Sequence, residues 1–489
     1  MTAANDARAT SRRRGILAVV GLGIGTGIVV MAMMIPPGSP DGPSMDEQPP
    51  TRTDSPAARS PGESDPTDAT DDGTRYVAQD GNDGHGGTSG APWRTLQWAV
   101  DHALDDIVLL EGTYDGAEVT RSGITVAGAP GEEAVISGQL GLAGVRDVVI
   151  RDITVQEALD PYQAGILVTD SSRIRISNVT VVSNSFGIHL KDSTDVLVEE
   201  SEITRNGSGV EVHGNASGLL VRENRIHHND RAVDASRGAN GINFFRSTGP
   251  AVVTNNELWA NFNPAPAPGT DIGGGAFEIY ASSDITMTRN TMWDNGVLET
   301  GTEAGIECDN LTFTHNVAWR GSANTLQDGL VLRCFSNSLV AHNTFDGLDN
   351  FAVDVIHQQG AFAGSIEGLR IVNNVFVNGR VYSIDNQMPR SVEIDHNLVH
   401  NAGSDADFGQ FLAYAWDQGN TSSFSSLQSW GYEVNGISQD PLFVNREGRD
   451  YRLQADSPAR AAGTLLPGIN DSFAGPPDLG RLSEQDTGT

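Results

Sequence analysis

From about residue 148 onward the chain repeats one arrangement of apolar and polar positions: apolar-x-apolar-x-x-Asn-x-apolar. The repeat carries Asn224, Asn256, Asn290, Asn316, Asn343, Asn374 and Asn397, spaced 23 to 34 residues apart, with Ile153, Val179 and Ser201 at the same place in earlier turns. Period-two alternation over four to five residues, punctuated by Gly and Asn, predicts short strands joined by tight turns. A repeat of about 23 residues holds three such strands, and stacked coils pair each strand in parallel with its neighbours at about 4.8 Å. An Asn at the same turn of every coil can bond the backbone of the next, so these side chains are read as a ladder and therefore as scaffold.

A second strand precedes the Asn-bearing one in each coil. Its inward positions align as Ile188/Leu190, Val210/Val212, Ile242/Phe244, Phe277/Ile279, Leu330/Leu332 and Val353/Val355. These fill a core, which turns the alternate residues outward. One outward column reads His189, Glu211, Asn243, Glu278, Val331, Asp354, and the other Lys191, His213, Phe245, Tyr280, Arg333, Ile356. Arg246 follows Phe245, and His357 follows Ile356. Any solvated strand face is polar, but this one concentrates groups that move protons and bind sugars. Insertions at 227–240 and 262–275 before the strand, and 357–368 after it, are placed to wall a groove.

Composition changes the picture in three ways. The 489 residues carry 63 Asp and Glu against 31 Lys and Arg, a net charge of −32, which argues against nucleic acid as a partner. Lys191 is the chain's one lysine. Three arginines, Arg12 to Arg14, precede an apolar run over 15–35 whose 21 residues span roughly 31 Å as a helix. That pattern predicts a cytoplasmic N-terminus at 1–14, one transmembrane helix and an extracytoplasmic body, or a secreted body if the segment is a cleaved signal peptide. Residues 36–74, rich in Pro, Asp, Ser, Gly and Thr, read as a disordered linker. The solenoid is expected over 75–400, a closing segment over 401–480 and a disordered tail over 481–489.

The coils resemble the right-handed parallel β-helix of the pectate-lyase-like superfamily, Asn ladder included. The stretch from Tyr76, YVAQDGNDGHGGTSGAPWRTLQWAVDHA, is similar to the N-terminal cap of extracellular proteins such as polysaccharide lyase family nine. Its short helix sets Leu96, Val100 and Leu104 on one face, sealing the first coil. The stretch from Asp440, DPLFVNREGRDYRLQADSPARAAG, resembles the closing segment of many such proteins. The resemblance covers about 75–480 and implies an all-β solenoid whose substrate cleft lies on the strand with the polar columns. The fold hosts lyases, hydrolases, epimerases and non-enzymatic surface proteins, so the reaction stays open.

A polysaccharide is the expected partner, and two mechanisms fit the groove. In a lyase, Lys191 abstracts the proton beside a uronate carboxylate, which Arg333, Arg246 or a calcium held by Glu211, Glu278 or Asp354 neutralises; lysine and calcium are what the family-nine resemblance implies. In a hydrolase, Glu211 and Glu278 act as acid and base across two coils, about 9.6 Å at strand spacing and near the gap of inverting glycosidases. His189, His213, Asn243, Phe245, Arg246, Tyr280 and His357 are then substrate contacts, with Phe245 and Tyr280 stacking on sugar rings. A gripping scaffold without catalysis is the third reading. Cys308 and Cys334 fall at nearly matching places in adjacent coils, within reach of a disulfide that an exported protein permits.

Overall fold

The computed structural model describes residues 73–160, 162–231, 239–263, 274–296, 298, 308–321, 329–332, 335–348, 351–355, 366–384, 391–401, 413–415 and 419–481. The apolar run 15–35, the expected linker up to residue 72, the final residues 482–489, Arg333, Cys334, Ile356 and His357 all lie outside them, as do 232–238, 264–273 and 357–365 within the expected groove walls. Among the described residues no helix is long and apolar enough to cross a membrane.

Most strands join one continuous parallel sheet that coils on itself. Its registers run without a slip along a third-strand column: Val155, Val181, Ile203, Ile226, Leu258, Met292, Ala318, Phe345, Phe376 and Val399. All ten are buried, and each middle residue points inward while its two neighbours face out. Complete burial of such side chains contributes about 1.5–3 kcal/mol each. A separate five-stranded sheet holds Leu330–Leu332, Phe351–Val355, Arg380–Ile384, Ala413–Ala415 and Gly419–Thr421.

The turns explain why the coil can be so tight. Glu223, Asn255, Arg289, His315, His342, Asn373 and His396 each adopt a positive φ, and each immediately precedes a ladder asparagine. Left-handed backbone is unfavourable for such residues, so something must offset it. The offset is the ladder itself. Asn290 donates its backbone N–H to Asn316 Oδ1 at 2.9 Å and its amide to Val253 O at 3.0 Å, and this pattern recurs from Asn224 to Asn397. The column ends on Glu433, whose carboxylate accepts Asn397 N at 3.1 Å and Asn397 Nδ2 at 2.7 Å.

A second ladder, unanticipated from sequence, runs through Asn184, Asn206, Asn229, Asn261 and Asn295 at the following turn. Here too the preceding residues, Ser183, Arg205, His228, Ala260 and Asp294, have positive φ.

The cap helix α1 spans Leu96–His102, with the Thr95 side chain accepting from Trp98 N. Leu96, Ala99 and Val100 are buried against the first coil. Leu104 corrects the expected helical face: it is 72% exposed, because the helix ends at His102 and Ala103 turns inward instead.

At the other end the antiparallel pair Phe443–Asn445 and Asp450–Leu453 lies on the outer face of the third-strand column. Phe443, Tyr451, Ala459 and Leu479 pack there with Val317, Val375, Val377 and Leu398. Asp346, buried beneath them, receives Arg446 Nη2 at 2.6 Å and Tyr451 OH at 2.9 Å.

Candidate functional site

The two outward columns form as the periodicity requires. Strands Phe186–Lys191, Ser208–Asn215, Ile242–Thr254 and Phe277–Tyr280 pair so that His189, Glu211, Asn243 and Glu278 are register partners. Lys191, His213, Phe245 and Tyr280 make the parallel column beside them. Between the columns lie Leu190, Val212, Phe244 and Ile279, all buried, which pin the polar residues to the outer surface.

Packing fixes the aromatic column. His213 meets His189 edge-on at 4.6 Å and Phe245 at 5.3 Å, so its ring is held from both sides. Phe245 and Tyr280 stack at 5.1 Å, and the Arg246 guanidinium lies 5.4 Å from the Phe245 ring centre. Lys191 and Arg246 are exposed at the margin of the column.

The carboxylates differ in setting. The Glu211 side chain is 3% exposed and its Oε2 sits 3.5 Å from His213 Nε2. That contact is too long to count as a hydrogen bond. Among the described residues Glu211 Oε2, His213 Nε2 and Asn243 Oδ1 are buried without a hydrogen-bond partner. Unpaired buried polar atoms are costly and rare enough to require an explanation. Glu278, by contrast, accepts Asn240 Nδ2 at 2.8 Å.

Asn240 is a site residue that sequence reasoning missed. It also accepts Gly275 N at 2.9 Å, tying the entrances of two strands together. The available signal was Asn240-Gly241 standing directly before a strand, a turn dipeptide at the groove edge.

Asp354 is not brought to this cluster by any described pairing. It pairs with Val331 and Ser383 in the separate five-stranded sheet. The three carboxylates named as candidate calcium ligands are therefore not brought together by the described pairings, and among the described residues no group of three or more His, Cys, Asp or Glu is placed to hold a metal ion. Calcium wants six to eight oxygen ligands, so the described donors do not fit it and no step below is routed through it. Arg333 and His357 lie outside the described residues. Cys308 is buried and disulfide-bonded, and the chain's one other cysteine, Cys334, lies outside the described residues.

Residues 164–324, which contain all four site strands, match the family described as a right-handed β-helix region. Pectate lyase PEL9 of Emericella nidulans is 24% identical over 326 residues, covering 55% of this chain and 78% of the relative. The chain is a right-handed parallel β-helix of the pectate-lyase-like superfamily. The β-helix is thus a distant homologue of that lyase. It is also 25% identical over 461 residues to the uncharacterized protein YwoF of Bacillus subtilis (strain 168), covering 81% of this chain and 94% of the relative. The solved structure of XylC with xylose superposes with a TM-score of 0.52 at 10% identity, over 75% of this chain and 86% of that chain, a likeness of fold alone.

Proposed function

We propose that this β-helix is a polysaccharide lyase that draws a uronate-containing chain across the strands Phe186–Lys191 to Phe277–Tyr280. The observation that carries the reading is the set of buried, unpartnered acceptors Glu211 Oε2 and Asn243 Oδ1 beside two exposed cations, Lys191 and Arg246. Sugar hydroxyls are donors that complete such acceptors, and cations meet the carboxylates of an acidic glycan. On a chain of net charge −32, positive groups at the rim of one groove also help to hold a polyanion that the rest of the surface repels.

Elimination needs a base for the proton on the carbon beside the uronate carboxylate. The electron pair of that C–H bond becomes the new ring double bond as the glycosidic C–O bond breaks, and the leaving oxygen takes up a proton. Lys191 and His213 are the groups on the face able to accept the first proton. Relation to a pectate lyase supports this class over the other chemistries of the fold.

A hydrolytic reading draws on one further observation: Glu278 is fixed by Asn240 while Glu211 is buried, two carboxyls in different settings and two strands apart. The apolar run 15–35 supports a place outside the cytoplasm, on a membrane tether. Cell fractionation of full-length protein against one lacking 1–35 tests that placement.

The deciding assay incubates the chain from residue 73 onward with a panel of acidic and neutral polysaccharides, with and without calcium. Ultraviolet absorbance of an unsaturated product supports elimination. New reducing ends without that absorbance, lost in Glu278→Ala, replace it with hydrolysis. Glycan binding with neither product leaves a gripping scaffold.

A further inference from the structure

Resting on the lyase reading, we propose that His213 is the base that removes the proton and that Glu211 positions it, with Lys191 serving as a counter-charge for the substrate carboxylate. Three independent features converge on His213. Its ring is clamped between His189 and Phe245, at 4.6 and 5.3 Å, so its two nitrogens have fixed directions. Nε2 is turned to Glu211 Oε2 at 3.5 Å, from a carboxylate that is 3% exposed and whose Oε2 has no hydrogen-bond partner among the described residues. The imidazole itself keeps 22% exposure, enough for its second nitrogen to meet a substrate in the groove.

A buried carboxylate behind an imidazole fixes the tautomer and stabilises the imidazolium that forms when a proton arrives. The long apo contact is of the kind that tightens when substrate excludes water from the face. Lys191 lacks this arrangement. It is exposed at the strand end, its register partner is His213, and the neighbouring Asp192 accepts Asn215 N at 3.1 Å.

The step balances without a co-reactant. His213 Nδ1 takes the proton beside the carboxylate, the C–H electrons form the ring double bond, and the glycosidic oxygen leaves with its electron pair. That oxygen is then protonated by the imidazolium, directly or through a relaying water, returning His213 to neutral.

The charged or titratable groups facing His213 are Glu211 on its own strand, His189 and Lys191 on the preceding strand, Asp192 beyond it, and Arg246 on the following strand. Their influence is separable by variant. The test measures unsaturated product on a uronate polymer as a function of pH for wild type, His213→Gln, Glu211→Gln and Lys191→Arg.

With His213 as base, His213→Gln loses at least about 100-fold in kcat with KM little changed. Wild-type activity falls off in acid as the base becomes protonated, and Glu211→Gln shifts that limb to lower pH with a smaller loss. Lys191→Arg acts on KM rather than kcat, since a guanidinium still pairs with a carboxylate but in a different geometry. Full activity in His213→Gln, or an acid limb unmoved by Glu211→Gln, overturns the assignment while the lyase reading stands. Wild type that binds glycan but yields no unsaturated product overturns both.

Discussion

Two columns of polar side chains climb this solenoid on the same strand spacing, and they are opposites. The inner one, Asn224 to Asn397, repeats a single residue and satisfies every amide it buries, each Asn bonded above, below and to the backbone. The outer one changes residue at each rung, His189, Glu211, Asn243, Glu278, and leaves Glu211 Oε2 and Asn243 Oδ1 unpartnered. A solenoid is stabilised by sameness, because like side chains at equal intervals answer one another. Where the repetition breaks and hydrogen-bonding capacity is left over, the structure carries a cost that stability alone does not explain.

The sharpest way to break that contrast is to cut the inner column. Asn290→Ala strands the backbone N–H of Asn256 and the carbonyl of Val253, both buried, and should cost about 3–4 kcal/mol. A denaturant midpoint within error of wild type would show that the ladder is decorative. Next in size is Asp346→Ala, which removes the acceptor shared by Arg446, Arg449 and Tyr451 and leaves both arginines of that corner uncompensated. A loss of about 3 kcal/mol, or rapid proteolysis confined to residues 440–481, is expected; resistance equal to wild type would detach the closing segment from this clamp.

Glu433 tests the ladder's end by pH. Burial pushes its carboxyl up to about 7, against the hydrogen bonds it accepts from Tyr382 and Asn397. A carboxyl raised in the folded state stabilises most in acid, and that contribution falls as pH climbs from about 4.5 to about 7, by on the order of 3 kcal/mol. His315 and His342, held neutral at about 3 and about 4 by burial, push the other way. The readable quantity is therefore the stability of Glu433→Gln minus wild type, expected to grow with pH across that window; a flat difference would refute the assignment. The smallest effect has the opposite sign from the others. Glu211→Gln removes a buried carboxylate whose Oε2 accepts no hydrogen bond, and should stabilise by about 1 kcal/mol. A loss as large as that of Asn290→Ala would make the outer column scaffold as well.

Much of this was legible from the pattern of the chain. Period-two alternation located the core residues Ile188 to Ile279 and hence the outward columns, since a strand allows only two faces. The Asn ladder was legible because its motif has fixed flanks. The second ladder was not: Asn206 and Asn229 lack the apolar residues that frame the first motif, with Ser201 and Ser208 at those places about the one and Asn224 and Arg231 about the other. Leu104 misled because helical periodicity says nothing about where the helix stops. The pairing of Glu278 with Asn240 was hidden for a different reason: it joins residues 38 apart through a turn of the coil.

The last rung of the inner column bears on what the ends of such a molecule would otherwise do. A stack of asparagines is self-complementary, with donors on one side and acceptors on the other, so any exposed end is a template for another chain. Glu433 accepts both bonds offered by Asn397 and has no amide to pass on. It is a terminator: one carboxylate in place of one more amide gives the solenoid a finite length and denies a second copy the surface on which it could continue the stack.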